Sequence, residues 1–393
     1  MKILIAADSY YPHVDGASIF AQRLAVNLRK KGNDVVVISP SRRFRTESYE
    51  HEGVKIFGVN SVSPIIYYGF RIGTPIFSKK KIGKLIQEFQ PDIVHLQAHF
   101  FVGKTVFRIA KKLGFPIVGT NHFLPENLVH YLPAPERLRG RIKKFGWKQF
   151  LEVYNHLDII TTPTQTAAAV LRKIGFKKDV LPISCGIDLG IYNPRNDGEY
   201  LRKVYNLPQK PILLYLGRLD REKNIDLVLR VLKNVLKKID IHFVIAGKGH
   251  QAQKWKKLTK ELGLEKNVTF TGYVPEVDKP NLYALADCFI IGGEAELQCI
   301  SAMEAMASGL PIIAIDAVAL PELVHHGENG FLFKKEHPEK LEKYLIAIFS
   351  DNALRKRMSQ KSLEMIQRHD IRKTIEKFIS VYQEAIRNHA KNN

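Results

Sequence analysis

Two glutamates, an arginine and a lysine mark where this chain could do chemistry. Glu296 follows an apolar run, Phe289 to Ile291, and a Gly292-Gly293 turn, and Glu304 comes eight residues later. The pattern puts Glu296 at a strand end and Glu304 just over two turns into the following helix. Ionised carboxylates only accept hydrogen bonds, so the first suits sugar hydroxyls and the second a ribose diol. A plain surface helix often carries two such glutamates, and the pair alone decides nothing. Arg218 and Lys223 follow another strand, within Leu216-Gly217-Arg218-Leu219-Asp220-Arg221-Glu222-Lys223-Asn224. Gly217 lets backbone approach a ligand, and fixed cations there would stabilise a leaving diphosphate more in the transition state than in the ground state. Taken singly, either cation is an ordinary basic turn.

Weaker candidates accompany these. Ile245-Ala246-Gly247-Lys248-Gly249 ends a strand with paired glycines, and Gly272-Tyr273-Val274 forms a strand-to-loop turn. Gly16 opens a helix, where unobstructed backbone N–H groups make a ready anion site. His95, His99 and His122 punctuate the same half, and a histidine at a strand end is more often a satisfied structural group. Neither a His-Glu-x-x-His spacing nor an Asp-x-Asp pair is present, so no metal is expected.

The elements that must position these residues alternate β-branched runs with amphipathic segments, the pattern of parallel sheets with crossover helices. Strands are expected at 2–6, 34–39, 93–96, 116–119 and 158–162, and again at 212–216, 242–246, 268–271, 288–291 and 311–315. A helix is expected from Ser18 to Lys31. Breakers between Pro182 and Pro208 place a domain boundary, with a new β-α series from Pro211. The chain therefore reads as α/β, two open domains with the interdomain cleft as the default site. Three cysteines in 393 residues make no disulfide framework, and the first residues run straight into Asp8. A reducing, cytoplasmic setting is expected. The net charge of +21 is uneven, with 28 Lys and Arg against 14 Asp and Glu through Pro194. Such an excess favours polyanionic partners, yet no nucleic-acid-binding signature is present, so nucleic acid is not expected.

The string from Glu296 to Pro311, with Glu304-Ala305-Met306-Ala307-Ser308-Gly309-Leu310-Pro311, closely resembles the Glu-x7-Glu motif of glycosyltransferase family four. Gly217-Arg218-Leu219 with Lys223 matches that family's Gly-Arg-Leu-x-x-x-Lys pattern. The resemblance spans nearly the whole chain and is nearest to bacterial enzymes that glycosylate diacylglycerol or phosphatidylinositol lipids. It implies the GT-B fold: an acceptor-binding Rossmann-like domain over 1–190, a nucleotide-sugar-binding one over 200–369, and a C-terminal crossover helix over 370–393. It implies a retaining, metal-independent hexosyltransferase that uses a UDP- or GDP-linked donor and no cofactor. By resemblance, Arg218 and Lys223 bind the donor diphosphate, Glu304 the ribose, and Glu296 and His122 the donor sugar. Gly272, Tyr273 and Val274 resemble the segment that reads the nucleobase, while Leu297, Gln298, Cys299 and Ile300 occupy the stretch whose backbone touches the sugar. The chain departs from the family at Gly16-Ala17, where relatives commonly carry two glycines. It departs again at Gln97, in place of a second histidine after His95, and at Leu297-Gln298-Cys299, where Gly-Phe-Gly is frequent. A soluble sugar or polyol acceptor is the alternative reading, and a phosphorylase or epimerase on the same fold is a more distant one.

One stretch belongs to none of this. Leu132 to Phe150 carries six cations and one acid, interleaved with Leu138, Ile142, Phe145 and Trp147. Spaced on a helix, these make an apolar stripe beside a basic face, as in interfacial helices. A second cluster, Lys79-Lys80-Lys81 with Lys84, follows the aromatic run Ile65 to Phe70. An anionic membrane surface at the inner face of the plasma membrane is therefore an expected partner, with packing of the stripe on the sheet as the competing outcome.

Overall fold

In a computed structural model, which describes residues 1–13, 15–63, 71–124, 135–176 and 178–392, the chain divides into two compact units. One comprises Met1–Cys185 with Arg372–Asn393, the other Gly186–Ile371. Val14, the aromatic run 65–70 and Leu132–Ala134 lie outside the described residues.

The first unit is built on β1 (Lys2–Ala6), β2 (Asp34–Pro40), β3 (Glu47–His51), β4 (Val54–Val59), the short pair β5 (Ser61–Val62) and β6 (Ile72–Gly73), β7 (Ile93–Leu96), β8 (Ile117–Thr120), β9 (Ile159–Thr162) and β10 (Val180–Pro182). Its main sheet runs β10-β9-β8-β7-β1-β2-β4-β3. Every neighbouring pair is parallel except β3 with β4. The second unit holds β11 (Ile212–Leu216), β12 (His242–Ala246), β13 (Val268–Gly272), β14 (Cys288–Ile291), β15 (Ile312–Ile315) and β16 (Gly330–Phe333), ordered β13-β12-β11-β14-β15-β16 and wholly parallel. Strands β7, β11, β12, β14 and β15 are buried at every residue, which is why they read as near-continuous apolar runs, broken only by His95 in β7 and His242 at the start of β12. All the expected strands form, within a residue or two, and the strand order makes both units Rossmann-like.

In such sheets the chain reverses its winding at one point, and the two strands flanking that point open a crevice at their carboxyl ends. Here those pairs are β1 with β7 and β11 with β14.

The last helix, Ile371–Asn392, buries Ile371, Ile375, Phe378, Tyr382 and Ala385. Their alternating spacing of four and three is one apolar face of a helix. Phe378 packs at 5.7 Å from the ring of Phe20 and 5.4 Å from His95, both in the first unit.

The basic stretch corrects part of its sequence reading. Its helix, Glu136–Tyr154, packs through Trp147, Phe150, Val153 and Tyr154, with Trp147 and Phe150 5.6 Å apart edge to face. Leu138 and Phe145 face away from that contact, and Phe145 is 63% exposed. The expected single stripe is thus split: Trp147 belongs to the core, while Leu138 and Phe145 do not. Among the described residues no helix is long and apolar enough to cross a membrane.

Candidate active site

The second unit brings its chemistry to the β11/β14 reversal. After β11 the chain passes Gly217, Arg218 and Asp220, makes a tight turn over Arg221–Lys223, and enters the helix Ile225–Val235 through Asn224. Asn224 adopts φ 51°, a left-handed conformation that asparagine tolerates better than most residues. Its side-chain amide donates to the Gly292 carbonyl at 2.8 Å and to Glu294 Oε2 at 3.1 Å, tying the β11 turn to the β14 turn. Glycine is required at 292, since a Cβ there would stand 2.6 Å from the Lys223 carbonyl oxygen.

Across this seam Lys223 Nζ donates to Glu296 Oε1 at 2.5 Å. The expected diphosphate cation and the expected sugar-binding carboxylate therefore share one contact. Burial works against the lysine's charge, but the carboxylates of Glu296 and Glu222 more than offset it, and its pKa moves up. Arg218 lies 2.5 Å from Asp220 and 3.5 Å from Glu222, with about a third of its side chain exposed. Beneath them the Tyr215 hydroxyl donates to the Arg218 carbonyl at 2.7 Å, and burial and Glu296 push its pKa well up. Both cations are thus held in place by side chains of their own unit.

Glu304 needs a correction. The helix it sits on begins at Ile300, so Glu304 lies just over one turn in, not two. It is buried and accepts from the Tyr283 hydroxyl at 3.1 Å. Leu297, Gln298 and Cys299 form an irregular link between β14 and this helix. Cys299 stands at the N-cap position without a side-chain cap, so the helix start carries no carboxylate of its own. Burial and Glu296 push the Cys299 thiol up to about 12, which keeps it protonated. Gly272 ends β13 at φ 73°, and its carbonyl accepts from Gly247 N at 2.7 Å. Tyr273 is half-exposed with Lys248 Nζ 5.9 Å from its ring centre, and Val274 is buried.

In the first unit, Gly16 opens the helix Gly16–Lys30, but Asp15 caps it, accepting from Ser18 N at 2.9 Å. An anion arriving there meets that carboxylate. At the β1/β7 reversal Asp8 accepts from Val102 N at 2.7 Å and Gly103 N at 3.2 Å, holding the start of the helix Phe101–Lys112. Burial lifts its pKa to about 6 against the pull of those amides. His95 is fully buried, with Nδ1 2.7 Å from the Tyr382 hydroxyl and Nε2 2.7 Å from the Thr120 hydroxyl. His122 lies at 3.2 Å from Gln97 Oε1, and burial lowers its pKa to about 4. His99 is buried among Phe100, Phe123, Phe150 and Tyr154. Sequence reasoning missed Asp8, Asn224 and Tyr382. Asn224 was signalled by its place after the turn, but nothing local marks Tyr382.

Burial pushes His95 down to about 3 and His99 down to about 4. Below about pH 6.5 the unfolded chain takes up protons that these folded histidines refuse, so stability falls with pH. Asp8 acts in the opposite sense, because the folded state protonates it first as pH drops. His122, lowered to about 4, adds to them, so three histidines outweigh one aspartate, and the first unit is expected to lose about 4 kcal/mol between pH 7 and pH 5. Urea midpoints at the two pH values check this, and His99→Phe should flatten the difference.

Among the described residues no group of three or more His, Cys, Asp or Glu side chains is placed to hold a metal.

Comparison with known proteins bears on the fold and the family. The family described as "Glycosyltransferase Family 4" matches residues 14–191, and "Glycosyl transferases group 1" matches residues 198–365. The chain is 28% identical over 343 residues to an alpha-monoglucosyldiacylglycerol synthase of Streptococcus pneumoniae, covering 86% of this chain and 76% of that protein. It is 28% identical over 335 residues to a GDP-mannose-dependent alpha-mannosyltransferase of Corynebacterium glutamicum, covering 84% and 76%. Among solved structures, a sucrose-phosphate synthase from Thermosynechococcus elongatus superposes with a TM-score of 0.79 at 18% identity, over 98% of this chain and 99% of the other. Two Rossmann-like units of this build define the GT-B class of sugar-transferring enzymes. The chain belongs to glycosyltransferase family four.

Proposed function

We propose that this glycosyltransferase moves a hexose from a UDP- or GDP-linked donor to a hydroxyl of a membrane glycolipid precursor, forming an α-glycoside. The observation that carries the reading is the β11/β14 seam, where Lys223 donates to Glu296, Arg218 pairs with Asp220 and Glu222, and the charge of Glu222 also acts on Lys223. In this reading Arg218 and Lys223 hold the donor diphosphate and take up the charge that grows as the glycosidic bond breaks. The uncapped start of the helix Ile300–Ala307 adds backbone donors and a positive dipole end. Glu304 binds the ribose, the turn at Gly272, Tyr273 and Val274 meets the base, and Glu296 and His122 orient the sugar. Displacement on the same face, with the departing phosphate taking the acceptor's proton, retains the configuration and needs no covalent intermediate. Isolation of a glycosyl adduct on Glu296 would overturn that step.

The name of the pneumococcal relative supports a lipid acceptor, and the corynebacterial one keeps GDP-linked donors in play. Nucleotide release from a panel of UDP- and GDP-sugars, with and without diacylglycerol-type acceptors, tests both halves of the reading. Because side-chain cations do the work of a divalent ion, activity should survive excess EDTA. Complete loss, restored by magnesium or manganese, would contradict it.

Exposed apolar side chains beside cations support docking on anionic lipid. Phe145 and Leu138 stand among the cations of the helix Glu136–Tyr154. A second patch has Phe44, Ile76 and Phe77, with Ile76 79% exposed and Phe44 6.1 Å from Phe77, beside Arg42, Arg43, Arg45 and Lys79 to Lys81. Each cation near such a surface contributes about 1 kcal/mol, enough in combination for loose peripheral binding. Co-sedimentation with vesicles should rise with anionic lipid and fall with salt. It should drop when Arg139, Arg141, Lys143 and Lys144 become Ser, and a wild type that ignores anionic vesicles at low salt would shift the acceptor towards a soluble one.

A further inference from the structure

Gln97, the residue that replaces a histidine of the family pattern, sits between two histidines. Its Oε1 lies 3.2 Å from His122 Nε2. Its Nε2 lies 3.4 Å from His95 Nδ1 and 3.2 Å from His95 Nε2. Both of those ring nitrogens already have partners at 2.7 Å, the Tyr382 and Thr120 hydroxyls. Near-equal distances to the two nitrogens place the amide nitrogen over the ring face, because an approach in the ring plane would collide with the carbon between them. An N–H is attracted to the electron-rich face of a ring, and a carbonyl oxygen is repelled by it. The amide of Gln97 therefore has one favourable orientation, NH2 towards His95 and carbonyl towards His122.

A carbonyl oxygen only accepts, so its partner on His122 must be an N–H. We infer that Gln97 is a positioning residue that fixes His122 as the Nε2-protonated tautomer and leaves Nδ1 as a lone-pair acceptor for a sugar hydroxyl. The sugar contact rests on the reading of His122 given above. The assignment of the tautomer does not.

The frame around this contact is stiff. His95 cannot turn without breaking hydrogen bonds to Tyr382 on the last helix and to Thr120, whose hydroxyl is also 2.7 Å from that of Thr161. The other groups facing His122 are the Phe20 ring, at 4.8 Å between centroids, Asp15, whose charge favours protonation, and His95 itself. None of these supplies the acceptor that Gln97 does. A histidine at position 97 could present either a donor or an acceptor, so the glutamine removes an ambiguity that the family's usual pair would carry.

Nitrogen-15 NMR of the full chain labelled at histidine reads the tautomer without turnover. In the wild type, His122 should show a protonated Nε2 and an unprotonated Nδ1 through neutral pH. Gln97→Met, which keeps the length and removes the acceptor, should mix the tautomers and lower kcat by on the order of tenfold with a smaller change in donor KM. Gln97→Glu keeps an acceptor and adds a negative charge, so the tautomer should persist while the His122 pKa rises by about one unit or more. A wild-type spectrum with the proton on Nδ1, or a Gln97→Met spectrum identical to it, overturns the inference. Should the spectra behave as described while His122→Ala and Gln97→Met both turn over normally, the positioning role stands and the sugar contact falls.

Discussion

Alanine at Arg218 or Lys223 is expected to cut kcat/KM by on the order of 10² to 10³, the loss typical when a fixed charge at a developing anion is removed. The two variants should differ in stability. Arg218 is about one-third exposed, and although Asp220 and Glu222 are themselves largely buried, Asp220 keeps His250 Nδ1 at 3.5 Å when Arg218 is lost. Lys223 is more enclosed, and its loss strands Glu296 without the 2.5 Å contact that compensates its burial. Lys223→Ala should therefore lower the unfolding midpoint more than Arg218→Ala, and adding Glu296→Ala should recover part of the stability and none of the turnover. Near-normal turnover in both single variants would remove the diphosphate assignment. Glu304→Ala should instead raise the donor KM, because a ribose contact is made equally in the ground and transition states.

Gly247→Ala should strongly destabilise the second unit. Gly247 has φ 136°, and a Cβ there would come within 1.9 Å of the Gly217 carbonyl oxygen. Backbone strain and overpacking each cost about 1–3 kcal/mol, and both act here, so a loss of about 3 kcal/mol or more is expected. The strain falls on the turn that carries Arg218, so donor affinity should drop together with stability. Gly263→Ala is the control: φ is 71° but nothing lies within 4 Å of its Cβ, so about 1–2 kcal/mol is expected. Equal shifts of the urea midpoint in the two variants would show that the close approach of the β11 and β12 turns costs nothing.

The sheets were legible because their central strands are buried on both faces and are almost wholly apolar. β3 was not, since Glu47-Ser48-Tyr49-Glu50-His51 lies at the sheet edge and pairs only with β4. The misplaced helix start before Glu304 has a different origin. Glu294-Ala295-Glu296-Leu297-Gln298 is made of good helix formers, and local propensity continues the helix back to the turn. Tertiary contacts override it: Asn224 and Lys335 hold Glu294 at 3.1 and 2.7 Å, and Lys223 holds Glu296. The candidate residues were legible as types and spacing. Their pairing was not, because Lys223 and Glu296 stand 73 positions apart, and His95 finds Tyr382 across 287.

That last contact bears on the order in which the molecule can be made. The first unit takes its final helix from residues 372–393, so the second unit is an insertion within it. On a ribosome, the second unit emerges whole and can fold while the chain is still growing. The first emerges earlier yet must wait, its sheet formed on one side and the apolar surface around Phe20 and His95 still wet until Phe378 and Tyr382 arrive. A nascent chain stalled before residue 372 would therefore present a folded second unit joined to a sticky, unfinished first one. That is the species a chaperone would be expected to hold.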